Sequence, residues 1–265
     1  MNSIRMICTD LDGTLLKESE SQSGLRRFGS LLADCKRRWR TQWAVVTGRR
    51  KVDVEPVLLH FLVFGMRPDF LVVEDGLIYR RNSRGAFIPF WWWNFNIMRK
   101  RFHLGRRSAD DIVRWRRELL DEFPAAEDRS RQTVDLWLEF PDAEQTRRAE
   151  KNLLEKIRHT VEFQVFRWDR ELFLAPSVGT KGEAVRKMCQ KLDIPLPKVF
   201  AVGDGPNDLS MLDGGAAGMS SCVGNALEHV KFAVREAGGF IATKRKTDGV
   251  NEALQWYMKG IYGSE

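Results

Sequence analysis

Two aspartates set two apart, Asp10 and Asp12, lie within the segment "MICTDLDGTLL" (residues 6–16), directly after a strand-length run. A turn needs only one small polar residue, whereas two neighbouring carboxylates can attack an electrophile, hold a cation or move a proton. Further acids follow another apolar run far along the chain, where "KVFAVGDGPND" sets Asp204 and Asp208 behind residues 199–202. Thr47 and Gly48 follow a third such run in "AVVTGRR".

The elements that must bring these groups together are legible as strand-length apolar runs at 4–9, 43–47, 70–73 and 199–202, each bounded by glycine or acidic residues. Between the first two, Leu25, Phe28, Leu31, Leu32 and Cys35 recur at helical spacing, with Arg26, Arg27, Lys36 and Arg37 mostly opposite. A second alternation closes the chain: a helix at 182–192, the strand at 199–202, a helix at 208–213 and a small-residue strand at 216–219. Parallel neighbours need crossover connections, so the pattern predicts an α/β fold, a Rossmann-like parallel sheet with helices on both faces. The middle differs. Helical patterns at 109–123 and 143–158 precede strand-like runs in "TVDLWLEF" and "VEFQVFRWDRELFLA", the latter a hairpin turning near Asp169. These describe an inserted α+β domain over 81–175, between core segments 1–80 and 176–265.

Ligands of open α/β sheets sit beyond the carboxyl ends of the strands, so Asp10, Asp12, Thr47, Gly48, Asp204 and Asp208 are expected along one edge. Three or four carboxylates in one crevice repel each other unless a cation is present, and hard oxygen donors suit Mg²⁺. Mg²⁺ held by few carboxylates leaves coordination positions for phosphate oxygens, which points to phosphoryl chemistry. The Thr47 hydroxyl, the Gly48 amide and the Lys181 ammonium can supply the remaining neutralising contacts.

Four motifs in this order, "DLDGT", "VVTGR", the lysine of "VGTKGEA" and "GDGPNDLSML", resemble those of the haloacid dehalogenase-like hydrolase superfamily. The later "GNA" and "TDGVNEAL" extend the resemblance over nearly the whole chain. An insert of this length is similar to the large α/β cap of the Cof-type and sucrose-phosphatase-like enzymes. The resemblance implies a Mg²⁺-dependent phosphatase that hydrolyses a small phosphomonoester, such as a sugar phosphate, through an aspartyl-phosphate. It implies Asp10 as nucleophile and Asp12 as acid and base. It implies Asp10, the Asp12 backbone carbonyl and Asp204 as metal ligands, with Asp208 holding the metal's waters or orienting the site. Thr47 and Lys181 would bind the phosphoryl oxygens, with Gly48 and Asn207 beside them, and the cap would close over the crevice and choose the substrate. "RPDFLVVEDGLIYRR" is similar to a turn of these relatives but carries Asp75 where Cof-type enzymes have the asparagine of Asn-Gly. A phosphomutase with a similar cap is an alternative, as is a basic nucleic-acid-binding protein with a vestigial site.

A formal charge of +7 over 265 residues suits an anionic partner, but the basic residues are scattered and support nucleic acid only weakly. "AFIPFWWWNFNIM" (residues 86–98) is too short and too interrupted to span a bilayer. The triplet Trp91, Trp92 and Trp93 could stack on a sugar ring or pack in the insert's core. The basic run 99–117 reads as a solvated helix face. Cys8, Cys35, Cys189 and Cys222 are far apart and form no CxxC pair, which fits a reduced, cytoplasmic setting with Cys8 in the core.

Overall fold

Strand β1 (Met6–Thr9) is buried along its whole length, as an unbroken apolar run requires in a sheet covered on both faces. In the computed structural model, which describes residues 3–16, 22–130 and 135–262, the chain continues through α1 (Gln22–Trp39), β2 (Gln42–Val46), α2 (Lys51–Val63) and β3 (Phe70–Val73). Next come β4 (Leu77–Arg81), β5 (Phe87–Pro89), α3 (Trp91–Arg107), α4 (Ala109–Glu122), β6 (Glu127–Asp128) and β7 (Trp137–Glu139). They are followed by α5 (Ala143–Ile157), β8 (Phe163–Trp168), β9 (Glu171–Pro176), α6 (Lys181–Leu192), β10 (Val199–Gly203) and α7 (Leu209–Leu212). Strand β11 (Met219–Cys222), α8 (Glu228–Glu236), β12 (Phe240–Ile241) and α9 (Lys246–Tyr262) complete the described chain.

The chain forms two compact units, Met1–Asn94 with Thr180–Glu265, and Phe95–Gly179. In the first, the described residues build an eight-stranded sheet in the order β12-β11-β10-β1-β2-β3-β4-β5. It is parallel from β12 to β3, and β4 and β5 are antiparallel additions. The sequence reading assigns Phe87–Pro89 to the insert; it is instead a strand of this sheet, because the β4–β5 turn folds the chain back onto β4. Side chains alternate across the sheet with the period of two that strands impose. Met6, Cys8, Ala44 and Val46 pack in one core with Ala184, Val185 and Met188 of α6. On the opposite face Trp43 meets Phe28 of α1 edge-on and Phe61 of α2 at a tilt, both at 5.5 Å between ring centroids.

From β1 the chain winds outward to β2 and β3, whereas β10, β1's other neighbour, starts the run to β11 and β12. The winding therefore reverses between β1 and β10, and the carboxyl ends of these two strands border the crevice that such a reversal opens. Asp10 follows β1 and Asp204 follows β10.

In the second unit the described residues form a four-stranded antiparallel sheet, β6-β7-β9-β8. Its core joins Trp115 and Leu119 of α4 and Leu153 of α5 to Leu138, Phe163 and Leu172 of the strands. Asp169, at φ 50°, makes the β8–β9 turn where the sequence places it. Of the "TVDLWLEF" run, Thr133 and Val134 lie outside the described residues, and the observed strand is Trp137–Glu139.

Candidate active site

Lys181 is the first residue of α6, and it is fully buried. The helix starts there because Thr180 caps it reciprocally: the Thr180 hydroxyl accepts from the Glu183 N–H, and the Glu183 carboxylate accepts from the Thr180 N–H at 3.1 Å. Behind it, a Cβ on Gly182 would stand 1.8 Å from the Ser210 carbonyl oxygen, so only glycine lets α6 approach α7 this closely. Lys181 Nζ then donates to Asp10 Oδ1 and to Asp208 Oδ1, both at 2.6 Å.

Asp208 faces the same point because its other oxygen accepts the backbone N–H groups of Asp204 and Gly205, both at 2.9 Å. Asp204 Oδ1 accepts from the Thr14 hydroxyl at 2.8 Å. Gly13 lies against that carboxylate: its φ is +74°, and a Cβ there would fall 2.2 Å from Asp204 Oδ2. Asn225 donates to the Gly13 carbonyl at 2.9 Å and accepts from the Lys246 N–H at 2.8 Å, which fixes the "DGT" turn to the carboxyl end of the sheet.

Asp10, Asp204 and Asp208 are buried, and each offers an oxygen within 4.8 Å of the others. Three carboxylates around one ammonium leave two negative charges uncompensated, the charge of one divalent ion. Burial first, and the Asp208 charge second, hold Asp10 well above the usual carboxylate range. The same two causes push Asp204 up to about 7. Burial alone would lower Lys181; Asp10, Asp208 and Asp75 outweigh it and raise it. The donor set of hard oxygens and the missing positive charge both fit a divalent cation.

Asp12 stands apart from this cluster. Its side chain is 52% exposed, and the Arg49 guanidinium grips both its oxygens, Nε donating to Oδ2 at 2.8 Å and Nη2 to Oδ1. Thr47 is buried at the end of β2, and its hydroxyl oxygen accepts from the Arg49 N–H at 3.1 Å. Gly48 is exposed beside it, and Asn207 donates to Asp75 Oδ1 at 2.9 Å. Trp93 donates to the Gly76 carbonyl at 2.8 Å, while Trp91 and Trp92 are exposed. The four cysteines are buried and none forms a disulfide; burial pushes Cys35, Cys189 and Cys222 up to about 12 and Cys8 well above its ordinary value. Among the described residues no helix is long and apolar enough to cross a membrane.

The sequence reading gave no role to Thr14, Arg49, Asp75 or Asn225. Three of them sit inside motifs already singled out, "DLDGT", "VVTGR" and "GNA", and Asp75 sits in the turn noted for its departure.

The doubly wound α/β sheet, with buried acids and a lysine at its winding reversal, is that of the haloacid dehalogenase-like hydrolases, and the chain is one of those that act on phosphoric monoesters. The chain belongs to the sucrose-6F-phosphate phosphohydrolase family, whose model matches residues 3–258. It is 26% identical over 260 residues to the mannosylfructose-phosphate phosphatase of Agrobacterium fabrum (strain C58), covering 96% of this chain and 97% of that one. It is 23% identical over 261 residues to the 5-amino-6-(5-phospho-D-ribitylamino)uracil phosphatase YcsE of Bacillus subtilis (strain 168), covering 96% of each. Among solved structures, the sucrose-phosphatase of Synechocystis sp. PCC6803 in complex with sucrose and phosphate shares the fold with a TM-score of 0.68 at 20% identity, over 96% of this chain and 98% of that one.

Proposed function

We propose that the protein is a Mg²⁺-dependent phosphatase of small sugar phosphates. The observation that carries this reading is the buried Asp10–Asp204–Asp208 cluster with its two uncompensated charges at the winding reversal. Asp10, Asp204 and the Asp12 backbone carbonyl would hold the ion, with Asp208 behind them, and the ion would supply positive charge to the phosphoryl oxygens.

An Asp10 carboxylate oxygen attacks phosphorus in line; the bond from phosphorus to the sugar oxygen breaks, and Asp12 delivers a proton to that oxygen. A water molecule then attacks the aspartyl-phosphate while Asp12 takes up its proton; the bond from phosphorus to Asp10 breaks and inorganic phosphate leaves. Lys181 and the Thr47 hydroxyl hold the phosphoryl oxygens through both steps, with the Gly48 amide and Asn207 alongside. Exposure suits Asp12 for exchanging its proton between leaving group and water, a task a carboxylate inside the cluster would perform poorly. The unit Phe95–Gly179, which overlaps the insert the sequence places at 81–175 and runs four residues past its end, selects the sugar.

The test is phosphate release from a panel of sugar phosphates with Mg²⁺ and with chelator. Mg²⁺-dependent release is expected; isomer formation without release would favour a mutase, and neither outcome on any phosphomonoester would refute the reading.

A further inference from the structure

One acid at the rim of the site has no part in the mechanism above. Asp75 follows β3 in the turn Glu74-Asp75-Gly76, where Glu74 and Asp75 both adopt positive φ, 49° and 60°. Two such residues in succession are costly for side chains larger than glycine, and the surroundings must hold them there. Two backbone bonds do so: the Glu74 N–H donates to the Arg49 carbonyl at 2.9 Å, and the Asp75 N–H donates to the Thr47 carbonyl at 3.1 Å. The turn is thus tied to the loop that carries the phosphate-binding Thr47 and Gly48.

The strain aims a charged group at one place. A Cβ on Gly48 would lie 3.4 and 3.5 Å from the two Asp75 oxygens and 3.5 Å from Asn207 Nδ2, so carboxylate and amide border the space above the Gly48 backbone. Asp75 lies close enough to Lys181 to contribute to its raised pKa, although it is outside the metal-donor cluster. A carboxylate so placed repels a phosphate dianion and gains nothing from it. Among the described residues one side-chain hydrogen bond, from Asn207, uses one of its roughly four acceptor sites. The neutral donors of a sugar phosphate that could use the others are its hydroxyl groups.

We propose that Asp75 is a specificity-determining residue whose carboxylate accepts hydrogen bonds from hydroxyls of the leaving alcohol, so that the site prefers phosphomonoesters of polyhydroxylated alcohols over those of bare aryl or alkyl alcohols. This rests on the phosphatase reading and assigns its preference for sugar phosphates to one residue. Asn207 holds the carboxylate in place and is a positioning residue for it.

Asp75→Asn tests the assignment. Asparagine tolerates the same backbone conformation, and its carboxamide oxygen can still accept from Asn207, so the fold is expected to persist, checked by an unchanged melting temperature. Values of kcat and KM are measured with Mg²⁺ for hexose 6-phosphates and for p-nitrophenyl phosphate, which lacks hydroxyls on its leaving group. The kcat/KM ratio of the best hexose phosphate to p-nitrophenyl phosphate is expected to fall by about 10- to 100-fold, chiefly through KM. An unchanged ratio, whether both substrates are lost equally or neither is affected, overturns the proposal. A wild-type protein that cleaves p-nitrophenyl phosphate but no hexose phosphate overturns it alone, whereas phosphate release from no phosphomonoester of the wider panel removes the phosphatase reading itself.

Discussion

Asp10 and Asp12 are two residues apart, yet their environments differ in the way the proposed division of tasks requires. Asp10 is buried against Lys181 in a cluster short of positive charge, while Asp12 is open to solvent and clasped by Arg49. Arg49 acts by fixing the Asp12 carboxylate in one orientation. Arg49→Ala is expected to slow alkyl phosphates, whose leaving oxygen needs a well-placed proton, by about 10-fold. Activated aryl phosphates, which leave without one, should change by less than about 3-fold; a comparison of kcat for the two classes reads the difference. The acids and Lys181 were legible in the sequence because each follows a strand end or opens a helix in a known order. Arg49, Thr14 and Asn225 were not, since their work is to hold other functional groups. Such partners become visible only when residues as distant as Thr14 and Asp204 are brought to 2.8 Å.

Helix α6 positions the chemistry through its first turn. Because a Cβ on Gly182 would meet backbone at 1.8 Å, Gly182→Ala must push α6 away from α7 and carry Lys181 with it. A stability loss of about 1–3 kcal/mol in urea denaturation is expected, with a fall in kcat. Strands and helices whose apolar residues keep one period were read correctly, as in α1, where Leu25, Phe28, Leu32 and Cys35 form the buried stripe. Helices α2, α3, α8 and α9 have no counterpart in the sequence reading, and the first two show why. The buried side of α3 runs Asn94, Ile97 and Leu104, one of the three polar, while Trp91, Trp92, Phe95 and Phe102 are exposed, so composition hides its period. Helix α2 carries exposed Val52, Leu59, Leu62 and Val63 opposite buried Val54 and Phe61, leaving no polar face to mark a helix. Strand β5 is three residues long and antiparallel, too short to show alternation.

For the molecule as a whole, the site imposes a cost on the metal-free fold that depends on pH. Asp204 rises from 3.8 to about 7 on folding and Asp10 rises well above its ordinary range, both chiefly through burial. The folded state then binds more protons than the unfolded chain between these values, so stability falls as pH rises from about 4 to beyond 7. A divalent ion displaces those protons and reverses the loss. Scanning calorimetry is expected to show the melting temperature in chelator decreasing from about pH 6 to about pH 8, and Mg²⁺ raising it more at the higher pH. An equal Mg²⁺ effect at both would mean that the ion binds elsewhere. In the proposed mechanism the charge imbalance that makes this site costly to fold also draws in the divalent ion, and Asp10 is the one member of the cluster that would also form a bond. Phosphate release by wild type and Asp10→Asn, each at saturating Mg²⁺ on the best substrate, therefore tests the nucleophile directly. The variant is expected to lose about 10³-fold or more in kcat while remaining folded, and an Asp10→Asn protein releasing phosphate at the wild-type rate would contradict the assignment.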